Sequence, residues 1–250
     1  MARALIGTSG WAYSGWRGSF YPQDLPASKF LEFYSRNFKT AEVNYSFYHL
    51  PRVSTYEKWY GETPEDFVFA LKASRLITHV KRLRDARENW HEFLSRARAL
   101  KHKLGPILLQ FPSSFRATGE NVDALARFLD DTSRFDSALR LALEFRDTSW
   151  FASSTLALLE EQNAALVIAH SSRYPVPEPM ATASFVYFRF HGPKELFASG
   201  YSKRELAQWA KQIERFLREG RDAYAYFNND ARGDAVPNAQ TLCDLLAHSS

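Results

Sequence analysis

Only one cysteine, Cys243, occurs in 250 residues, which excludes an intramolecular disulfide and any zinc cage built from thiolates. No apolar run approaches the ~18–20 residues that a membrane-crossing helix needs. The opening Met1-Ala2-Arg3-Ala4-Leu5-Ile6-Gly7 is too short, and too soon broken by glycine, for a secretion signal. A soluble, cytoplasmic protein is therefore expected. Glycine and proline, eleven of each and scattered, exclude collagen-like or long disordered character. Gly7-Thr8-Ser9-Gly10-Trp11 is not the glycine-rich dinucleotide fingerprint, and neither an HExxH motif nor an internal repeat occurs.

The charge that is present is unevenly spread. The formal net charge is +4, yet residues 72–103 hold ten basic side chains against Asp85, Glu88 and Glu92. That window is +7, which leaves −3 for the rest of the chain. A basic surface can attract phosphate-bearing partners, although a solvated helix face has the same composition.

Short apolar, β-rich runs recur eight times: Ala4–Thr8, Thr40–Asn44, Phe67–Lys72, Pro106–Gln110, Arg140–Glu144, Ala165–Ala169, Phe185–Phe190 and Ala223–Phe227. Several are nearly continuous in apolar residues, as strands covered on both faces are. Between them, Ser28–Phe38, Asn89–Lys103, Val122–Asp130, Thr155–Gln162, Lys203–Arg218 and Asn238–Ala247 read as helices. Ser202 followed by Glu205 is a capping-box signature. Cys243, among Leu242, Leu245 and Leu246, reads as packing. Pro175, Pro177 and Pro179 argue against a normal helix in the sixth unit, His170–Ser184. This alternation predicts an α/β fold, a single-domain (β/α)8 TIM barrel over residues 1–250, irregular around its sixth unit. An open doubly wound sheet is the alternative.

Active sites of such barrels lie at the carboxyl ends of the strands. Nearly every predicted strand ends on a group that hydrogen-bonds or titrates: Thr8 and Ser9, Glu42 and Asn44, Lys72, Gln110, Glu144 and Arg146, His170, Arg189 and His191, then Asn228, Asn229 and Asp230. Residues two apart share a face, so Glu42 goes with Asn44, Glu144 with Arg146 and Arg189 with His191.

Several stretches carry a family likeness. They are Gly7-Thr8-Ser9-Gly10-Trp11 with Trp16 and Tyr21-Pro22, Glu42-Val43-Asn44 with Phe47-Tyr48, and Lys72 with Thr78-His79. Leu109-Gln110-Phe111-Pro112, Glu144-Phe145-Arg146, Tyr187, Arg189, His191-Gly192 and Tyr226-Phe227-Asn228-Asn229-Asp230 continue it. Together they resemble the YecE-like family, labelled domain of unknown function 72, over almost the whole chain. The resemblance implies a TIM barrel, related in shape to sugar isomerases and a zinc-dependent DNA-repair endonuclease, with no established activity. His170 departs from the pattern, since an aspartate is common there.

The expected catalytic groups are Glu42 and Glu144, as general base and acid, assisted by His191. Lys72, Arg146 and Arg189 are expected to bind an anion. Asn44, Gln110, Asn228, Asn229, Trp11, Tyr48 and His79 are expected to line the substrate site. The bland reading of the acids is a buried network that neutralises these cations. Glu42, Glu144, His170 and His191 form the one ligand-like set, but neighbouring cations oppose a divalent ion, so no metal or cofactor is expected. The leading expectation is barrel-mouth acid/base chemistry (isomerase, lyase or hydrolase) on a phosphorylated small molecule, without a membrane partner. The alternatives are a nucleic-acid-binding or phosphodiester-processing barrel, which would use the basic 72–103 surface and exposed aromatics, and a binding protein with an idle pocket.

Overall fold

In the computed structural model, which describes residues 2–175 and 177–247, eight parallel strands form one sheet curled into a nearly closed barrel with helices outside. The strands are β1 (Ala4–Thr8), β2 (Thr40–Val43), β3 (Val68–Lys72), β4 (Leu104–Gln110), β5 (Leu141–Glu144), β6 (Ala165–His170), β7 (Phe185–Phe190) and β8 (Asp222–Phe227). Their order is β1-β8-β7-β6-β5-β4-β3-β2, so the ladder runs round the barrel and leaves one seam, between β1 and β2.

That seam is closed by a side chain. The Tyr34 hydroxyl accepts the Thr8 backbone N–H at 2.9 Å and donates to the Thr40 carbonyl at 3.0 Å. The strands approach closely here. A Cβ on Gly7 would sit 2.2 Å from the Thr40 carbonyl oxygen, so only glycine fits.

Outside lie α1 (Phe30–Asn37), a single turn α2 (Tyr45–Tyr48), α3 (Val53–Glu62), α4 (Arg87–Ala97), α5 (Gly119–Phe135), α6 (Ser153–Glu161), α7 (Lys203–Arg218) and α8 (Ala235–Ala247). Helix α3 has no counterpart among the six helices expected from periodicity. It buries only Tyr56 fully, so its apolar stripe is too thin to stand out. The helix expected over Asn89–Lys103 ends at Ala97 and continues as a 3-10 turn, with Lys101 in the left-handed region at φ 51°. Lys103 is buried there, and its ammonium donates to the Tyr60 and Thr63 carbonyls at 2.7 and 2.8 Å, capping the end of α3. The Ser202–Glu205 capping box is present at α7. No helix intervenes between β6 and β7 among the described residues. No helix of the described residues is long and apolar enough to cross a membrane.

Alternation along the strands sorts the interior. Leu5, Val68, Ala70, Leu108, Ala142, Ala165, Val167, Phe185, Tyr187, Tyr224 and Tyr226 fill the barrel, a separate cluster from the one beneath the helices. The lower interior is apolar or phenolic. At the carboxyl ends of the strands it turns ionic, where Glu42, Lys72, Glu144 and Arg189 are all buried.

Candidate functional site

The inward face of β7 carries Tyr187 and Arg189, and β2 and β5 bring Glu42 and Glu144 to the same level. Arg189 lies between the two acids. Its Nε and Nη2 reach Glu42 Oε2 and Oε1 at 2.9 and 2.7 Å, and its Nη1 reaches Glu144 Oε2 at 2.5 Å. Glu42 also accepts the Ser9 hydroxyl at 2.7 Å and the Tyr187 hydroxyl at 2.8 Å. Each of its oxygens thus takes two donors, which fills a carboxylate's acceptor capacity. Burial alone would raise both acids. The Arg189 charge outweighs it, holding Glu42 below the usual carboxylate range and Glu144 well below it.

His191 completes this floor. Its Nε2 faces Glu144 Oε1 at 3.6 Å, and the Asn228 amide nitrogen lies 3.2 Å from its Nδ1. With Asn228 donating, the ring proton sits on Nε2 and points at the carboxylate. Burial lowers the imidazole's pKa, with Glu144 opposing, so the ring is neutral at physiological pH. Phe197 packs edge-on over it at 5.4 Å. The chain turns sharply just after at Gly192, whose φ of +102° and closeness to the Glu195 carbonyl exclude a side chain.

Above the floor opens a cavity of about 830 Å³, in the size range of small-molecule sites. Lys72, Arg75, Arg146, Asn44, Gln110, Asn228 and His79 line it, with Tyr13, Phe47, Tyr48, Phe197 and Asp230. Arg146 spans both levels: its Nε holds Glu144 Oε1 at 3.1 Å while its guanidinium covers the Tyr174 ring at 4.1 Å. Asp230, the one carboxylate of the lining among the described residues, already accepts the Trp16 indole N–H at 2.8 Å. Lys72 lies over the Phe47 ring at 4.1 Å. Burial and then the Arg189 charge push its ammonium down to about 7, although Glu144 and Glu42 pull the other way. His79 packs edge-on against the same Phe47, and burial followed by the charge of Lys72 lowers it to about 4.

The expected site residues therefore divide. Glu42, Glu144, Arg189 and His191 form a dry layer, and Lys72, Asn44, Gln110, Arg146, Asn228, His79 and Tyr48 face the cavity above it. Two residues lie elsewhere. Asn229 is fully buried and turns away, donating to the Ser199 carbonyl at 3.0 Å and to Asn238 Oδ1 at 2.9 Å, so it fixes the start of α8. Trp11 packs edge-on against Trp59 and borders a small neighbouring hollow. His170 bonds Tyr201 at 3.0 Å, outside the cavity lining. Among the described residues no cluster of three or more His, Cys, Asp or Glu could hold a metal ion.

The basic 72–103 window is not one face. Arg75 borders the mouth, while Arg98 and Lys101 line a hollow at the opposite, amino-terminal end with Arg3 and Arg140. Helix α4 carries the chain between these ends. Among the described residues, four of the ten cations are paired with carboxylates: Arg84 with Glu120, Arg87 with Asp131, Arg96 with Glu92, and Arg98 with Asp136. Tyr187 was not among the expected site residues, and Ser9 was expected only as a polar strand end. Tyr187 lies two positions before Arg189, and that spacing was the available signal.

The sequence model of a family described as "Protein of unknown function DUF72" matches residues 5–250. UPF0759 protein YunF of Bacillus subtilis is 27% identical over 96% of this chain and 94% of its own length. UPF0759 protein YecE of Escherichia coli is 32% identical over 49% of this chain and 43% of its own. The crystal structure of a DUF72 family protein of Thermotoga maritima superposes with a TM-score of 0.85 at 28% identity, covering 98% of this chain and 99% of that one.

Proposed function

This chain belongs to the DUF72 family, and we propose that the mouth of its barrel is an active site for a small anionic, phosphate-bearing molecule. The supporting premise is general, since TIM-barrel enzymes act at the carboxyl ends of their strands. One observation carries the reading: Lys72, Arg75 and Arg146 converge with the amides of Asn44, Gln110 and Asn228 on a single cavity whose acid, Asp230, is already bonded. Arg75 and Arg146, joined by Lys72 when it is protonated, face one engaged carboxylate in the lining and leave a positive field, and guanidinium forks suit phosphate oxygens.

In this reading the anion sits against Arg75 and Arg146, and the reacting carbon lies toward Lys72. Glu144 and His191 lie just beneath and hold the cavity residues Arg146 and Asn228 in place. Glu42, with its acceptor sites filled, fixes Arg189 instead of exchanging a proton. Isomerase, lyase and hydrolase chemistry all fit this arrangement. The small-molecule reading is favoured over a nucleic-acid surface because the basic window is divided between two ends of the barrel and partly neutralised.

Calorimetric titration with inorganic phosphate, then with a panel of sugar phosphates, tests the proposal. Saturable binding weakened at least tenfold by Arg146→Ala is expected, about 1.4 kcal/mol or more. Absence of saturable binding at millimolar phosphate overturns it.

A further inference from the structure

Lys72 differs from the other cations of the mouth in what it touches. It ends β3 on the inward face and is 9% exposed, with its chain end opening on the cavity. Among the described residues its ammonium makes no hydrogen bond or ion pair, and its contact is the face of Phe47. The carboxylates within electrostatic reach, Glu42 and Glu144, are both turned to Arg189. A buried, unpaired amine beside two guanidiniums has every reason to shed its proton.

We propose that Lys72 Nζ attacks a carbonyl carbon of the anionic substrate and holds it as a covalent iminium. The inference rests on the reading of the mouth as an anion site, with Arg75 and Arg146 gripping the charged end of the same molecule. Burial supports it further, because it pushes the ammonium down to about 7, and only the neutral amine is nucleophilic.

The step balances. The Nζ lone pair forms the C–N bond as the carbonyl π pair moves onto oxygen, and a proton passes from nitrogen to that oxygen. The carbinolamine oxygen then takes a second proton from solvent and leaves as water, giving C=N⁺. No oxidant or reductant is needed. The iminium withdraws electrons from the adjacent carbon, so the reaction narrows to proton removal or carbon–carbon cleavage there. Neutral His79 faces the same cavity and shares Phe47 with Lys72, which makes it the base for that carbon.

Reductive trapping tests this on the unmodified protein. Limiting glyoxylate, a small anionic aldehyde, is supplied at pH 7 with sodium cyanoborohydride, and the adduct is located by peptide mass mapping. Lys72 is expected to carry at least ten times the label of exposed lysines such as Lys58 and Lys203, despite its burial. Excess inorganic phosphate is expected to suppress that label. Label spread over the exposed lysines with none enriched at Lys72 overturns the inference. Phosphate binding, measured calorimetrically on the same sample, separates the two proposals. Binding without Lys72 label removes only the iminium, and Lys72 label without binding removes only the anion site. Lys72→Arg should lose the adduct, and an adduct elsewhere in the cavity at equal yield also counts against Lys72.

Discussion

Arg189 grips Glu42 with two parallel nitrogens, at 2.7 and 2.9 Å, in a region closed to water. The same guanidinium turns its remaining nitrogen to Glu144. One cation therefore serves two acids from opposite walls of the barrel. The Lys72 ammonium, close enough to feel both acids, is left without either.

Removing Arg189 should be severe. Arg189→Met leaves Glu42 and Glu144 buried without their cation, which costs about 3–5 kcal/mol for a broken buried pair. The double variant Arg189→Met with Glu42→Gln should regain part of that loss, because one uncompensated charge goes with it. Urea unfolding of the three proteins measures this. A double variant no more stable than the single one contradicts the coupling.

Acid should weaken the fold in two stages. His191 and His79 have folded values below their ordinary 6.5, so the unfolded chain takes up protons first and stability falls as pH drops below 6.5. Glu42 and Glu144 are held below their ordinary 4.5, so their contribution is complete above that value and is lost as pH falls beneath it. Urea midpoints between pH 8 and pH 3 should decline throughout, most steeply below about 4.5. A midpoint that rises on acidification contradicts both assignments.

The seam between β1 and β2 depends on one hydroxyl. Tyr34→Phe removes the acceptor of the Thr8 N–H and a donor to the Thr40 carbonyl. Each unsatisfied buried group costs about 1–3 kcal/mol, so for the two groups a loss of roughly 2–6 kcal/mol is expected. Hydrogen exchange at the Thr8 amide should accelerate more than exchange in the β7–β8 ladder. Equal acceleration at both would mean global destabilisation and no special role in closure.

Strand pattern made the barrel legible, because apolar runs that are buried on both faces announce themselves. Inward pairs such as Glu144 with Arg146 were legible for the same reason, from the two-residue period. The Tyr34 bridge was not, since it joins residues 26 apart through a hydroxyl that reads in sequence as ordinary core. Helix α3 carries little periodic signal because it buries only Tyr56 fully and its end is held by the Lys103 ammonium. Asn229 shows the limit of reading strand ends, for its neighbour Asn228 faces the cavity while it turns toward α8. Least legible was the state of Lys72. Spacing placed two acids and several cations at one mouth, but which cation captures the acids depends on fork geometry that only packing decides.

That competition predicts an unusual stability profile for Lys72→Met. In the folded protein the ammonium titrates at about 7, against an ordinary 10.5 in the unfolded chain. Between those values the unfolded state binds more protons, so wild-type stability rises with pH across the interval. At and below neutrality the buried charge is a burden that methionine lacks. Lys72→Met should therefore be more stable than wild type at pH 7. The gain is on the order of 1–3 kcal/mol, because each tenfold loss of proton affinity on folding corresponds to about 1.4 kcal/mol before solvent screening. The gap should narrow as pH approaches 10, where the native amine is already neutral. Paired urea titrations at pH 7 and pH 9.5 measure it. A variant less stable than wild type at neutral pH would mean that the Lys72 charge is compensated in the fold, and its assignment as a free amine would fall.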